Sequence, residues 1–341
     1  MNDIRTERLT LRAPDIAHLD QMNDLVSDFE VTKWTASWPY PADRDFTASR
    51  CAPFPPETGF GGPIFLGEEL IGAMGVKDCE LGYMFGQAHW GNGYATEIAR
   101  AVVARAFQIY DWDQIKACIF QGNYGSSRVL EKIGFQRVGT CTCHSKAQGK
   151  DIDTIDFALT RDNWLAANPY RIETDRLIIR PLADGDWPDV QRIGSNPKVA
   201  RMMFNVGSPW PKQDVQAWLA NSRWRGRPGF RPAVTLKDGT FVGTLGLGGD
   251  PCTIAYFLDQ QHWGKGYVSE ALHAFVADAF TRFQIPELRA RHFVDNPASG
   301  RVLTKLGFEK IGQATGVSAA RLEDAPEVLY RLTRNQFGTK P

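Results

Sequence analysis

Two Gly-x-Gly turns are the part of this sequence whose residue types and spacing point most directly to a chemical task. Gly91-Asn92-Gly93 and Gly264-Lys265-Gly266 each stand between a predicted strand and a long amphipathic helix. At a helix N-terminus several backbone N–H groups lack a partner within the helix, and the helix dipole favours negative charge. Because glycine has no Cβ, a pyrophosphate can approach the backbone closely. Each turn is therefore predicted to bind a phosphate group.

A single Gly-x-Gly more often marks a tight turn than a binding site, but here the turn occurs twice in the same strand-to-helix context. It is not a dinucleotide-binding fingerprint, because Thr96 and Ser269 stand where the third glycine would be. A Walker A loop is excluded as well, because neither turn continues as Gly-Lys-Ser/Thr.

The elements around each turn belong to a long internal repeat. Residues 6–12 (TERLTLR) return as residues 174–180 (TDRLIIR). Residues 87–97 return as 260–270 with seven of eleven identities, and residues 123–135 return as 296–308 with eight of thirteen. Because this period is the size of a domain, the chain is predicted to hold two copies of one fold. We expect domains at residues 1–165 and 170–341.

Each copy alternates strand and helix patterns. Two consecutive strands precede each turn, at 70–76 and 81–85 in the first copy and at 241–247 and 254–258 in the second. The helix after the turn has an apolar stripe, followed by a strand, a short helix and a further strand. The apolar stripes comprise Ile98, Val102, Ala106 and Ile109 in the first copy, and Leu272, Phe275, Ala279 and Phe283 in the second.

Composition restricts the class of function. The 341 residues contain 39 Lys+Arg and 39 Asp+Glu, so the chain lacks the positive field that non-specific nucleic-acid binding requires. No apolar run approaches the length of a transmembrane helix, and six unevenly spaced cysteines suit a reducing compartment, so a cytoplasmic protein is expected. Cys141, Cys143 and His144 offer three metal ligands in principle. Their spacing is that of a strand face without a second ligand pair, and no metal is predicted.

These repeated motifs resemble the GNAT superfamily of acyl-CoA N-acyltransferases, and most closely its ribosomal-protein N-terminal acetyltransferases (the RimJ/RimL-like branch). The pyrophosphate signature of that family, Gln/Arg-x-x-Gly-x-Gly/Ala, is complete in residues 261–266. The first copy departs from it, since Ala88 replaces the Gln or Arg. The opening motif of each copy and the blocks at 123–135 and 296–308 are also typical of this branch.

The resemblance implies a mixed α/β (α+β) protein with two tandem GNAT folds, each a mostly antiparallel mixed sheet flanked by helices. It implies acetyl-CoA as co-substrate, without a metal, and direct attack of a primary amine on the thioester in a ternary complex. The acceptor would be a protein N-terminus or a small-molecule amine, with no nucleic acid or membrane as partner. Acceptor specificity would come from residues 35–63 and 205–232. A monomer or weak homodimer is expected.

A second possibility of another class is a coenzyme-A-binding regulatory module in which one or both sites are catalytically inactive. Release of free coenzyme A with a panel of amines separates an enzyme from such a sensor.

The same resemblance assigns residues to roles. The predicted coenzyme-binding residues are His89, Trp90, Gly91, Asn92, Gly93, Tyr94, Ala95 and Asn123 in the first copy, and Gln261, His262, Trp263, Gly264, Lys265, Gly266, Tyr267, Val268 and Asn296 in the second. Within this set, His89 and His262 are interpreted mainly as packing residues of the turn. Asn123 and Asn296 also suit helix N-caps.

Three residues are predicted to be catalytic. Ser126 and Ser299 match the serine that protonates the leaving thiolate, although serines at helix starts are common. Glu80 is the candidate general base, although an exposed carboxylate at a strand edge explains it equally well. The second copy has Thr253 at that position, which cannot act as a base. The sequence therefore favours the first copy as the catalytic one.

Overall fold

The computed structural model describes residues 3–283 and 285–338, in two compact units that meet between Asn168 and Pro169. The helices and strands of the first unit are β1 (Ile4–Arg5), β2 (Leu9–Leu11), α1 (Leu19–Val26), α2 (Phe29–Thr32), α3 (Arg44–Arg50), β3 (Gly59–Leu66), β4 (Glu69–Lys77), β5 (Glu80–Phe85), α4 (Tyr94–Ile109), β6 (Gln114–Phe120), α5 (Tyr124–Lys132), β7 (Gln136–Ser145), β8 (Lys150–Thr160) and α6 (Arg161–Ala167).

The second unit repeats this order of elements. Its helices and strands are β9 (Ile172–Glu173), β10 (Leu177–Pro181), α7 (Trp187–Gly194), α8 (Pro197–Ala200), α9 (Lys212–Asn221), β11 (Pro232–Leu236), β12 (Phe241–Gly248), β13 (Thr253–Leu258), α10 (Tyr267–Phe283), β14 (Glu287–Phe293), α11 (Pro297–Lys305), β15 (Glu309–Gly316) and β16 (Ala325–Thr333).

Each unit is built on one eight-stranded sheet. The strand order in the first unit is β1-β2-β3-β4-β5-β6-β8-β7, and in the second it is β9-β10-β11-β12-β13-β14-β16-β15. All neighbouring strands are antiparallel except β5 with β6 and β13 with β14. The predicted fold class, two mostly antiparallel mixed sheets flanked by helices, is confirmed.

The two parallel strands at the centre of each sheet pair at a single position. In the first unit β5 and β6 pair at Glu80 with Lys116, and in the second β13 and β14 pair at Thr253 with Arg289. Beyond these points each pair of strands has no further register, so the strands diverge toward the Gly-x-Gly turn. The backbone groups on the facing edges are left without a strand partner there.

Alternation of side chains along the strands gives each sheet two apolar faces. In the second unit one face packs on α10 and α11 through residues such as Leu245 and Leu258. The opposite face packs on α7, α8 and α9 through Ala233 and Phe257. The first unit has the equivalent pair of cores. A central sheet between two helical layers can therefore present different chemistry on its two sides.

The two long helices follow the predicted apolar stripes, with one exception. Leu272, Phe275, Ala279 and Phe283 are all buried in α10, but Ile109 at the end of α4 is 40% exposed. The prediction that Ile109 belongs to the buried stripe is wrong, because α4 ends at this residue and Tyr110 turns the chain into an extended conformation. In the described part of the chain, no helix combines the length and apolar character needed to cross a membrane.

Candidate active site

Each Gly-x-Gly turn has a backbone conformation that favours glycine. Gly91 and Gly93 lie at φ 78°, and Gly264 and Gly266 at φ 75° and 79°, where side chains other than glycine are strained. A Cβ built on Gly91 or Gly264 has no atom within 4 Å, so the space in front of both turns is open. These turns therefore expose the backbone N–H groups that open α4 and α10.

A tryptophan joins each turn to the strand before it. The Trp90 indole Nε1 donates a hydrogen bond to the Phe85 carbonyl oxygen (2.8 Å), and Trp263 Nε1 donates to the Leu258 oxygen (3.0 Å). Each bond connects the end of the splayed strand to the turn. Trp90 and Trp263, both predicted to bind coenzyme, therefore have a structural role in shaping the turn.

A carboxylate clamp fixes the first turn from the other side. Glu97, in the first turn of α4, accepts hydrogen bonds from Thr6 Oγ1 (2.6 Å), Arg8 N (3.0 Å) and Arg8 Nε (2.7 Å). The guanidinium of Arg8 also donates to the Asn92 carbonyl oxygen (3.2 Å), in the middle of the turn. The residues of the opening motif thus position the turn.

The second unit has the same clamp, made by Glu270, Thr174 and Arg176. Glu270 accepts from Thr174 Oγ1 (2.6 Å) and Arg176 Nε (2.7 Å), and Arg176 Nη1 donates to Lys265 O (3.0 Å). Burial alone would raise the pKa of Glu270, but these hydrogen bonds and the Arg176 charge outweigh it and lower the pKa. Glu97 has a lowered pKa for the same reasons. The sequence interpretation missed this clamp, although all three residue types repeat in both halves.

The asparagines predicted to contact coenzyme cap the helices behind the turn. Asn123 Oδ1 accepts a hydrogen bond from Ser126 N (3.1 Å), and Asn296 Oδ1 accepts one from Ser299 N (3.3 Å). Each cap satisfies one of the unpaired N–H groups at the start of α5 or α11. The caps place Ser126 and Ser299 in the first turn of these helices, beside the splayed strands.

The two serines differ in what they contact. Ser299 Oγ lies 2.7 Å from the phenol oxygen of Tyr256 on β13, whereas Tyr83 on β5 donates to the backbone oxygen of Ser126 (3.3 Å). Burial raises the pKa of Tyr256 and Tyr83 to about 12, although the contacts with the serines lower it in part. Both phenols are therefore protonated at neutral pH and can donate a proton. Sequence reasoning missed these tyrosines, although they occupy equivalent places in the repeat.

A cavity of about 1200 Å³ lies in the second unit beside the splay. Tyr256, Ser299 and Asn296 line it on the side of α10 and α11. Phe204 and Trp218 line it on the side of α7 to α9. Its lining includes these residues predicted from the sequence: His262, Trp263, Gly264, Gly266, Tyr267, Val268, Asn296 and Ser299. Gln261 and Lys265 flank the turn outside that lining.

The histidines before the turns have different surroundings. His89 Nε2 lies 3.1 Å from Glu69 Oε1, whereas His262 Nδ1 is buried and has no hydrogen-bond partner among the described residues. Both rings lie near the tyrosine that begins the following helix, at 6.5 Å from Tyr94 and 5.9 Å from Tyr267 between ring centres.

Glu80 lies at the start of β5, on the sheet face opposite to α4 and α5. Its side chain is exposed, and none of the described residues donates a hydrogen bond to it. Burial raises the pKa of Cys143, and the negative charge of Glu80 adds to this shift. Glu80 is therefore on the side of the sheet that the sequence predicts for the acceptor, without a partner that would position it.

The corresponding face of the second unit has a buried carboxylate that sequence reasoning missed. Glu327 on β16 is fully buried; its Oε2 is 3.4 Å from Arg291 Nη1, and its Oε1 has no partner among the described residues. Burial raises the pKa of Glu327, although Arg291 and His292 oppose this shift. An acidic residue directly before the apolar run Val328-Leu329-Tyr330 was the signal available in the sequence.

The cysteines of the first unit form a cluster that differs from the one considered from sequence. Cys141 lies with Cys118 and Asp156, whose ligand atoms are within 4.8 Å of one another, rather than with His144. His144 Nδ1 instead lies 2.7 Å from Asp151 Oδ1. Burial raises the pKa of Cys118 to about 12, with Thr154 opposing the shift, so this thiol is neutral. The absence of a metal stays a prediction.

The clamp gives a pH-dependent contribution to stability. Because the pKa of Glu270 is lowered on folding, its contribution is present above the unfolded pKa of about 4.3 and is lost as pH falls through the folded pKa. Glu270→Gln should reduce the free energy of unfolding by about 1–2 kcal/mol at pH 7. The difference from wild type should shrink below about pH 4, as measured by denaturant unfolding. Exposed Glu309→Gln is the control, and an effect of Glu270→Gln that is equal at pH 7 and pH 3.5 contradicts the clamp.

Comparison with known proteins agrees with this geometry. The family described as "Acetyltransferase (GNAT) domain" matches the chain twice, over residues 8–136 and 176–309. These two segments cover more than half of the chain, one in each unit.

Individual relatives match about one unit each. An uncharacterized N-acetyltransferase p20 of Bacillus licheniformis is 29% identical over a 185-residue alignment that covers 48% of this chain and 99% of that protein. The [ribosomal protein uS5]-alanine N-acetyltransferase of Escherichia coli is 25% identical over 163 residues, 42% of this chain and 80% of that protein. A crystal structure of a GNAT-family acetyltransferase from Bacillus anthracis covers 49% of this chain and 99% of its own, with 22% identity and a TM-score of 0.42. The chain belongs to the GNAT acetyltransferase family and is an acyl-CoA-dependent N-acetyltransferase with one such domain in each unit.

Proposed function

We propose that the second unit transfers an acetyl group from acetyl-CoA to a primary amine, by direct attack of the amine on the thioester in a ternary complex. The cavity beside the β13–β14 splay supports this proposal most strongly, because its lining comes from both sides of the sheet. Coenzyme entering from the side of α10 and an amine entering from the side of α7 to α9 would meet there. The sequence alone favours the first unit, because only that unit has Glu80.

The coenzyme pyrophosphate would be bound by the backbone N–H groups at the start of α10. Gly264 and Gly266 leave those groups accessible, and Gln261 and Lys265 add a polar and a cationic side chain next to them. His262, Trp263, Tyr267, Val268 and Asn296 complete the coenzyme site of this unit. The first unit would bind coenzyme through its matching residues: His89, Trp90, Gly91, Asn92, Gly93, Tyr94, Ala95 and Asn123.

The splay would supply the electrostatic part of catalysis. Beyond Thr253 the edge of β13 that faces β14 has backbone groups without a strand partner. An N–H group of that edge, directed at the thioester carbonyl, stabilises the oxyanion that forms when the amine attacks. Collapse of this intermediate forms the amide, breaks the carbon–sulfur bond and leaves a thiolate, which must take a proton.

Ser299 would give that proton, with Tyr256 as its donor in turn. The 2.7 Å contact between the two hydroxyls lets the phenol replace the proton as the serine loses it. Ser126 is the corresponding acid in the first unit. There Tyr83 donates to the backbone oxygen of Ser126 (3.3 Å) and interacts more weakly with the Ser126 side chain, so the relay is less direct. This difference supports catalysis in the second unit and coenzyme binding without comparable turnover in the first.

The proton of the attacking amine requires a base on the other side of the sheet. We propose Glu327 for this role in the second unit, because it is a buried carboxylate on the acceptor face whose Oε1 has no partner among the described residues. Its side chain packs over Gly316, outside the cavity lining, so water would have to carry the proton from the amine to it. Glu80 is the corresponding candidate in the first unit.

Blocking one coenzyme turn at a time identifies the working unit. Gly266→Trp should exclude coenzyme from the second unit by steric conflict at the turn and abolish acetyl transfer. Gly93→Trp, the matched control, should leave most of the turnover. Calorimetry should show one coenzyme site lost in each folded variant. Retained activity in Gly266→Trp with loss in Gly93→Trp assigns the chemistry to the first unit.

Removing the relay tests acid catalysis. Tyr256→Phe and Ser299→Ala should each lower kcat by ~10²-fold with little change in acetyl-CoA affinity, as expected for a positioned proton donor. Tyr83→Phe and Ser126→Ala are the controls and should leave kcat unchanged. Full turnover in both second-unit variants rules out the relay.

The two candidate bases are distinguished by charge removal. Glu327→Gln should lower kcat/KM by ~10²-fold and remove the acid limb of its pH profile, where protonation of the base limits the rate. Glu80→Gln should change neither kcat/KM nor its pH profile. An intact acid limb in a folded Glu327→Gln protein contradicts the assignment, and its loss in Glu80→Gln supports the first unit.

A further inference from the structure

Arg231 directs a cation toward the acceptor side of the cavity. It directly precedes β11, between Phe230, which packs in the core beside α10, and Pro232. Because side chains alternate along an extended chain, Arg231 lies on the opposite face, together with Ala233. Its guanidinium carbon is 5.3 Å from the centre of the Trp218 ring, and both residues line the cavity.

The guanidinium of Arg231 has no anionic partner in the part of the chain that the structure describes. Among the described residues, no carboxylate forms an ion pair with Arg231 and no group accepts a hydrogen bond from its side chain. Burial lowers the pKa of Arg231, and no neighbouring charge opposes this. A desolvated guanidinium nevertheless remains protonated, and its five N–H donors lack acceptors. Such a group binds an incoming carboxylate strongly, in a two-bond geometry.

The other arginines near this part of the cavity are already paired. Arg201 and Arg321 both contact Asp295, at 2.7 and 2.8 Å, and Arg291 contacts Glu327 at 3.4 Å. The cavity lining contains six Lys or Arg residues, and Asp295 is its only acidic residue among those described. Coenzyme phosphates would neutralise cations on the α10 side, but Arg231 lies on the other face. A polycationic acceptor is therefore disfavoured there.

The first unit lacks this feature. Sheet register makes Gly61 the equivalent of Arg231, because Pro63 pairs with Ala73 as Ala233 pairs with Thr244. A Cβ built on Gly61 would lie 2.6 Å from Gly75 Cα and 2.8 Å from Met74 O, so the backbone of β4 leaves no room for a side chain there. In the described part of the chain, a cation at this position of the sheet therefore occurs in the unit proposed to be catalytic and not in the first unit.

We propose that the acceptor of the second unit is an amine that carries a carboxylate, and that Arg231 binds this carboxylate. The proposal rests on the acetyl transfer proposed above and specifies its acceptor class. The shared chemistry is that of a free amino acid or of a peptide N-terminus next to an acidic side chain. Arg231 would position the acceptor and contribute mainly to its binding.

Matched acceptors that differ only in the carboxylate test this proposal. The pairs are lysine and cadaverine, histidine and histamine, tyrosine and tyramine, and the amidated peptides Ala-Glu-Ala and Ala-Gln-Ala. Wild-type kcat/KM should be ~10–10²-fold higher for the carboxylate member of the preferred pair, as expected for one charge-assisted contact. A preference for the carboxylate member of an amino-acid pair indicates a free amino acid as acceptor. A preference within the peptide pair indicates a peptide N-terminus next to an acidic side chain. Equal or better use of the uncharged members overturns the proposal while acetyl transfer stands.

Variants separate binding of the carboxylate from catalysis. Arg231→Met should remove the preference through a higher KM with little change in kcat, and Arg231→Lys should restore part of it. Arg223→Met is the control, since Arg223 is exposed and paired with Asp184 (2.8 Å). A preference that survives in folded Arg231→Met overturns the proposal.

Binding gives a readout that does not depend on turnover. Calorimetry with coenzyme-A-loaded protein should show binding of the carboxylate member of at least one pair, and at least 10-fold weaker binding to Arg231→Met. If no amine of the panel is acetylated, the proposed function fails for these acceptors and this titration still decides the role of Arg231. Equal affinities for wild type and Arg231→Met, or no carboxylate binding, overturn it.

Discussion

The single contact between the two parallel strands of each sheet is the constraint on which the candidate site depends. In the second unit β13 and β14 pair only at Thr253 and Arg289, and they diverge from there to the turn. Continuous pairing would close the sheet, satisfy the backbone groups between the strands and separate its two faces. Divergence leaves those groups available to a ligand and opens a path between the helical layers. The cavity, the oxyanion donor and the access from both sides of the sheet thus all result from the divergence of β13 and β14.

The two units share their coenzyme side and differ on the opposite face. The turn, the clamp on Glu97 or Glu270 and the asparagine cap recur with nearly the same distances. On the other face Cys118 of the first unit corresponds to Arg291 of the second, and Thr154 to Glu327. Backbone recognition of a phosphate needs only the chain conformation, whereas recognition of an acceptor depends on side chains. The two duplicated domains are therefore free to differ in acceptor while keeping one cofactor.

Local patterns in the sequence were sufficient for the turns, the long helices and the repeat, since each is specified by residues close together in the chain. Strand β3 is not predictable from local pattern, because Gly61, Gly62 and Pro63 are residues typical of turns, although the sheet accommodates them by close approach of its strands. The pairing of Tyr256 with Ser299 and the isolation of Arg231 depend on residues brought together only by the tertiary fold. The spacing of residues in a single sequence does not show whether a buried cation has a partner in the folded protein.

The clamp also has a consequence for the biosynthesis of the protein. Arg8 and Glu97 are separated by 89 positions, and Arg176 and Glu270 by 94, so each turn is fixed by residues from opposite ends of a long segment. At about 5–20 residues per second, roughly 5–20 s pass on the ribosome between synthesis of the arginine and of its glutamate. Because such long-range contacts form late, each nascent unit would gain affinity for coenzyme only when its sheet closes. The first unit would reach that state while the second is still being translated.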